Sequence, residues 1–136
     1  MAKYAIEAVE GIGEVFGKRF REQGINNTDQ LLSASRTKAF RKELAQKTGI
    51  DEDKILKFAN HVDLYRVDGI GPQSAELLEA AGVDTVKELA TRKPENLVKK
   101  LEEVNEAKHL MRRVPYLKVV TKWVESAKAL PRGIEY

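Results

Sequence analysis

Residues 66–83 read RVDGIGPQSAELLEAAGV. Gly69 and Gly71 bracket Ile70, Pro72 follows, and apolar residues then recur at helical spacing as far as Gly82 and Val83. Glycine removes the Cβ clash where a backbone must turn sharply, and proline at a first helical position gives up an N–H that has no partner there anyway. The stretch therefore predicts a tight corner, a short helix over 72–81, and a left-handed glycine cap at its end. A looser copy, VEGIGEVFGKRFREQGI, stands at residues 9–25 and predicts a helix over 14–23.

The two stretches align at a spacing of 58 residues. Val9, Gly11, Ile12, Gly13, Phe20, Gly24, Ile25 and Leu31 fall on Val67, Gly69, Ile70, Gly71, Leu78, Gly82, Val83 and Leu89, and small Gly17 falls on Ala75. With the gap shifted by one, Phe40 and Leu44 meet Leu97 and Leu101. The distal segments 55–62 and 120–127 put Phe58 on Trp123. Matches of type and order on this scale mark a duplicated unit. Capping boxes Asn27-x-x-Gln30 and Thr85-x-x-Glu88 open the next helix of each copy. Further helices are expected over 37–47 and 94–105, where Pro94 opens the second, and over 52–66 and 116–130. No strand alternation of useful length occurs, so the fold class is all-α. The expected domains are 1–66 and 67–130, the helix over 52–66 leading directly into the second, with a loose tail over 131–136.

The chain has 136 residues, 42% hydrophobic and 33% charged, which suits a folded globular protein. It contains no cysteine, which rules out disulfides and thiolate metal sites. No apolar run approaches a membrane span, and the N-terminal MAKYAIEAVEG carries acids where a signal peptide would be apolar, so a cytoplasmic protein is expected. Twenty-four basic residues against 21 acidic give a net charge of +3, a mild bias toward a polyanionic partner.

At a Gly-Ile-Gly corner the amides that open the following helix lack intrahelical acceptors and sit at its positive dipole end. A phosphate fits there without help from any side chain, and such a contact grips a nucleic-acid backbone without reading its sequence. The expected contacts are Gly11, Ile12 and Gly13 at the first corner and Gly69, Ile70, Gly71, Gln73 and Ser74 at the second. Lys18 and Arg19 stand one turn into the first helix. The alternative is a corner that packs two helices and binds nothing. Glu10, Glu14 and Asp68 oppose an anion there through like-charge repulsion.

The segment VDGIGPQSAELLEAAGVDTVKELA (67–90) resembles the helix-hairpin-helix motif of sequence-independent DNA-binding modules. From about residue 5 to 130 the chain resembles a bacterial family of unknown function in that superfamily, sometimes labelled flap-endonuclease-like. KFANHVDLYRVDGIG (57–71), PENLVKKLEEVN (94–105) and WVESAKAL (123–130) carry the resemblance. It implies two tandem five-helix repeats, of the kind shared with sterile-alpha-motif-like domains, joined through a connecting helix. Monovalent cations held by main-chain carbonyls at such corners are implied by the resemblance only, and no cofactor is expected.

A second basic stretch, KHLMRRVPYLKVVTK (108–122), holds Lys108, His109, Arg112, Arg113, Lys118 and Lys122 with Tyr116 interleaved, Trp123 following at once. Charge plus stacking would suit nucleic acid. Against that, Leu110, Val114, Leu117, Val120 and Trp123 read as core, which makes the cations an ordinary solvated face. Arg41 and Lys42 beside Glu43 read as a mixed solvent-facing helix surface. The acids Asp51, Glu52 and Asp53 open a helix and suit its dipole better than a metal. Neither His61 nor His109 has a nucleophile or ligand at a telling spacing, so no enzyme is expected. Two functions stay open: weak, sequence-independent binding of DNA or another nucleic acid, or a protein-interaction module that pairs with a partner or with itself.

Overall fold

The computed structural model describes residues 3–136. Among them the regular structure is entirely helical. A 3₁₀ turn Ile6–Ala8 precedes eight α-helices: α1 Gly13–Glu22, α2 Thr28–Ala34, α3 Lys38–Thr48, α4 Glu52–Leu64, α5 Pro72–Ala80, α6 Val86–Thr91, α7 Pro94–Lys108 and α8 Leu117–Ala129. A lone β-bridge pairs Ala5 with Asn27. Among the described residues no helix is long and apolar enough to cross a membrane. Two compact units form. One comprises the described residues up to Asp63 together with Arg132–Tyr136, and the other comprises Leu64–Pro131.

Local hydrogen bonds repeat at the spacing of the sequence. Val9 N–H donates to Ile6 and Ile12 N–H to Val9; correspondingly, Val67 donates to Leu64 and Ile70 to Val67. Helices α1 and α5 end alike. Gly24 and Gly82 are left-handed (φ +80° and +92°), Ile25 N–H reaches back to Phe20 O, and Val83 N–H reaches Leu78 O. These bonds satisfy carbonyls that a helix end leaves open, and the apolar residue beyond each glycine is buried. Asn27 and Thr85 cap α2 and α6 by accepting from the amides of Gln30 and Glu88. The reciprocal halves of the two boxes differ from expectation. Gln30 Oε1 accepts from Asn26 N–H, one residue early, and the Glu88 carboxylate pairs with Arg92 at 3.0 Å.

In the first unit Ile6, Phe20, Leu31 and Ile55 are fully buried, and Phe58 meets Phe16 and Phe20 edge-on at 6.2 and 6.3 Å between centroids. In the second, Leu78, Val83, Leu89, Leu101 and Val120 are fully buried. Each such side chain contributes about 1.5–3 kcal/mol relative to exposure. Glycine at position 17 has a specific use: a Cβ there would lie 2.6 Å from Glu7 Oε2. The space admits the Glu7 carboxylate, which accepts two hydrogen bonds from Arg21, at 2.6 and 2.8 Å. Those bonds, with one from a backbone amide, hold the Glu7 carboxyl at about 2 against an ordinary 4.5.

Three expectations need correction. The 131–136 tail is docked, not loose: Ile134 is buried, Glu135 N–H donates to Arg36 O, and Tyr136 Oη donates to Asn60 Oδ1. Arg41 is not a solvent-facing cation. It is only 3% exposed and donates to the carbonyls of Ser35, Arg36 and Glu135. Phe40, aligned with buried Leu97, is half exposed, because α3 turns its Leu44 and Arg41 inward instead.

Candidate functional site

Each unit contains one Gly-Ile-Gly corner with an aromatic ring against its first glycine. At the first corner Gly11 is left-handed (φ +89°), and a Cβ there would lie 3.2 Å from Phe58 Cε1. At the second, Gly69 is left-handed (φ +91°), and a Cβ would lie 3.1 Å from Trp123 Nε1. Ile12 and Ile70 point inward, 3% and 2% exposed. They are unavailable to a ligand in their amides too, which donate to Val9 and Val67 and close each turn. Ile12 and Ile70 therefore drop out of the expected contacts, while Gly11 and Gly69 are exposed.

Beyond the isoleucine the corners diverge. Gly13 is the first residue of α1 and is left-handed (φ +62°), while Ile12 before it is already helical. Gly71 caps α5 in an extended conformation (φ −122°, ψ −166°). Pro72 explains the difference, because a proline excludes the residue before it from the helical region. Among the described residues no acceptor takes the amides of Gly71, Gln73 or Ser74, Pro72 has none to offer, and the amides of Gly13, Glu14 and Val15 are equally without one. The first turn of α5 contains no acid, whereas that of α1 contains Glu14. Asp68 is the exposed carboxylate nearest in sequence to the second corner.

The cations expected at the first corner are divided. Lys18 is exposed on α1. The Arg19 guanidinium lies over the Phe16 ring at 5.7 Å, and its Nη1 is 3.9 Å from where a Gly49 Cβ would stand, at the C-terminal end of α3. Arg19 thus serves the Phe16 face, which Lys54 covers as well at 5.3 Å.

At the second corner a side-chain bond brings in the basic stretch. Gln73 Nε2 donates to Leu110 O at 3.1 Å, tying the start of α5 to the loop between α7 and α8. That loop is held from its other side by Asn105, whose carboxamide makes two 2.8 Å bonds to the backbone of Met111. Lys108, the last residue of α7, and His109, Arg112 and Arg113 along the loop are exposed. Arg113 Nη1 donates to Tyr116 Oη at 3.0 Å. Trp123 is buried at 3% exposure and Val120 fully, as core residues should be, but Leu117 is 44% exposed and lies outside the core. Sequence reasoning missed the Gln73–Leu110 and Asn105–Met111 bonds, since no motif signals a carboxamide that captures a distant carbonyl.

Among the described residues no group of three or more His, Asp or Glu side chains is placed to hold a metal ion. A family model described as a domain of unknown function, DUF4332, matches residues 10–130. No curated protein and no solved structure matches the chain.

Proposed function

The chain belongs to the DUF4332 family, and we propose that it binds nucleic acid, DNA in the first instance, weakly and without sequence preference. Phosphates would settle on the amides of Gly71, Gln73 and Ser74 and on the cations of the α7–α8 loop. The observation that carries this reading is the Gln73–Leu110 bond, which ties the start of α5, whose first turn contains no acid, to the loop that contains Arg112 and Arg113. Amide dipoles and guanidinium charge then favour the same anion, which neither would hold firmly alone at a solvated surface. The first corner, with Glu14 in its helix and Arg19 turned away, is the weaker contact. We propose no catalytic role.

In the same reading the two units are repeats of one helix-hairpin-helix module, five helical segments each if the 3₁₀ turn opens the first and α4 is counted in both. The matched turns at Val9 and Val67 and the matched caps at Gly24 and Gly82 support it. Fluorescence anisotropy of a short duplex, titrated at several salt concentrations, tests the function. The logarithmic salt slope should be roughly −2 to −5, at about −0.9 per phosphate contacted. Absence of association at low salt would remove the proposal.

A second reading has one observation of its own. Ile25, Ala34, Phe40 and Leu44 line a cleft of about 260 Å³ in the first unit, with Phe40 49% exposed at its side. An apolar side chain of a partner protein, or of a second copy, would fit there. Sedimentation velocity over a range of concentrations, compared between the wild type and Phe40→Asp, tests that reading.

A further inference from the structure

We infer that the second unit takes an unpaired DNA strand in preference to a duplex, with one base stacked on Tyr116. The inference rests on the nucleic-acid reading above and specifies its ligand. Two aromatic rings lie in or beside the basic stretch, and the fold treats them oppositely. Trp123 is buried against Gly69, whereas Tyr116 is 64% exposed at the N-cap of α8. Its ring is not left to swing freely, because Arg113 holds the hydroxyl at 3.0 Å. Leu117 and Val119, close to it in sequence, are 44% and 38% exposed.

The charge around this ring suits one class of ligand. Residues 107–124 include Lys108, Arg112, Arg113, Lys118 and Lys122 and no acid, the flanking acids being Glu106 and Glu125. The first turn of α8 likewise contains no acid and has no side-chain cap. An exposed aromatic face within a run of cations matches a polymer that offers phosphate and an unsatisfied base face together. A duplex stacks its base faces on one another, so it can use the cations but not the ring. A loop pinned at Leu110 and Met111 also presents these groups at low ordering cost.

The test compares a labelled oligothymidylate with a blunt duplex of equal length at low salt, by anisotropy, using the wild type, Tyr116→Ala, Tyr116→Phe and Ser74→Asp. Circular dichroism melts establish that each variant is folded, which exposed position 116 should allow. The wild type should bind the single strand more tightly. Tyr116→Ala should weaken that binding about five-fold or more and change duplex binding by less than about two-fold, while Tyr116→Phe, which keeps the ring but loses the bond from Arg113, should weaken it by less than Tyr116→Ala does. Duplex binding as tight as single-strand binding, or single-strand affinity unchanged in Tyr116→Ala, would overturn the inference. Ser74→Asp places a carboxylate at the open start of α5 and separates the two ideas. If it weakens both ligands while Tyr116→Ala weakens neither, only the stacking inference falls. If it weakens neither while Tyr116→Ala loses the single strand, the α5 phosphate contact falls and the stacking inference stands.

Discussion

The two Gly-Ile-Gly corners share their letters, their turn bonds and their aromatic backing, yet their helices begin differently. Gly13 and Gly71 occupy the same place in the repeat, one left-handed and the other extended. The following residue decides between them: Pro72 forces an extended glycine and leaves that place free of acid, whereas Glu14 imposes no such limit and adds a carboxylate to the first turn. One substitution after a shared pattern thus changes the backbone and the charge of the helix start. Similar motif letters do not imply similar sites.

The largest effects should come from the rings that back the corners. Phe58→Ala and Trp123→Ala, at 4% and 3% exposure, should each cost about 3–5 kcal/mol in urea unfolding. A value under about 1 kcal/mol for either would mean that its corner does not depend on the ring. Next come Gly11→Ala and Gly69→Ala, which combine a left-handed backbone with a Cβ 3.2 or 3.1 Å from the ring. Each should cost about 2 kcal/mol, and the pair should agree closely because the geometry does.

The comparison sharpens at the second glycines. Gly13→Ala should cost about 1 kcal/mol from backbone strain alone, since nothing lies within 4 Å of its new Cβ. Gly71→Ala meets no such strain and should change stability by less than about 0.5 kcal/mol. Equal costs would contradict the difference between the corners.

The smallest effect belongs to the Glu7–Arg21 pair, which the second unit lacks because Tyr65 and Glu79 stand at the aligned positions. The folded Glu7 pKa is depressed, so its contribution is present in full above about 4.5 and is lost as pH falls through about 2. Chemical denaturation of the wild type and Glu7→Gln should therefore show a small gap near neutral pH that closes at the acid end. A gap that widens on acidification would have the wrong sign.

Much of the fold was legible in the sequence because it is local. Helix starts at Asn27, Thr85, Pro72 and Pro94, and stops at Gly24 and Gly82, depend on bonds spanning a few residues, and the 58-residue repeat announces most of them twice. What escaped depends on distance. Arg41 looked like a surface cation because its third acceptor, Glu135 O, lies 94 residues further on, and the docked tail was hidden for the same reason. The site was legible in part. The glycines and the basic stretch could be named, but Ile12 and Ile70 use their amides internally and Arg19 serves Phe16. The bond from Gln73 to Leu110 spans 37 residues. Even so, Pro72 already contained the signal that separates the corners.

The most direct test follows the backbone amides themselves, by ¹H–¹⁵N NMR during titration with a short oligonucleotide at low salt. The account predicts that the amide signals of Gly71, Gln73 and Ser74 move first and furthest, with those of Gly13, Glu14 and Val15 moving little. Shifts confined to residues 13–15, or binding that leaves 71–74 in place, would contradict it.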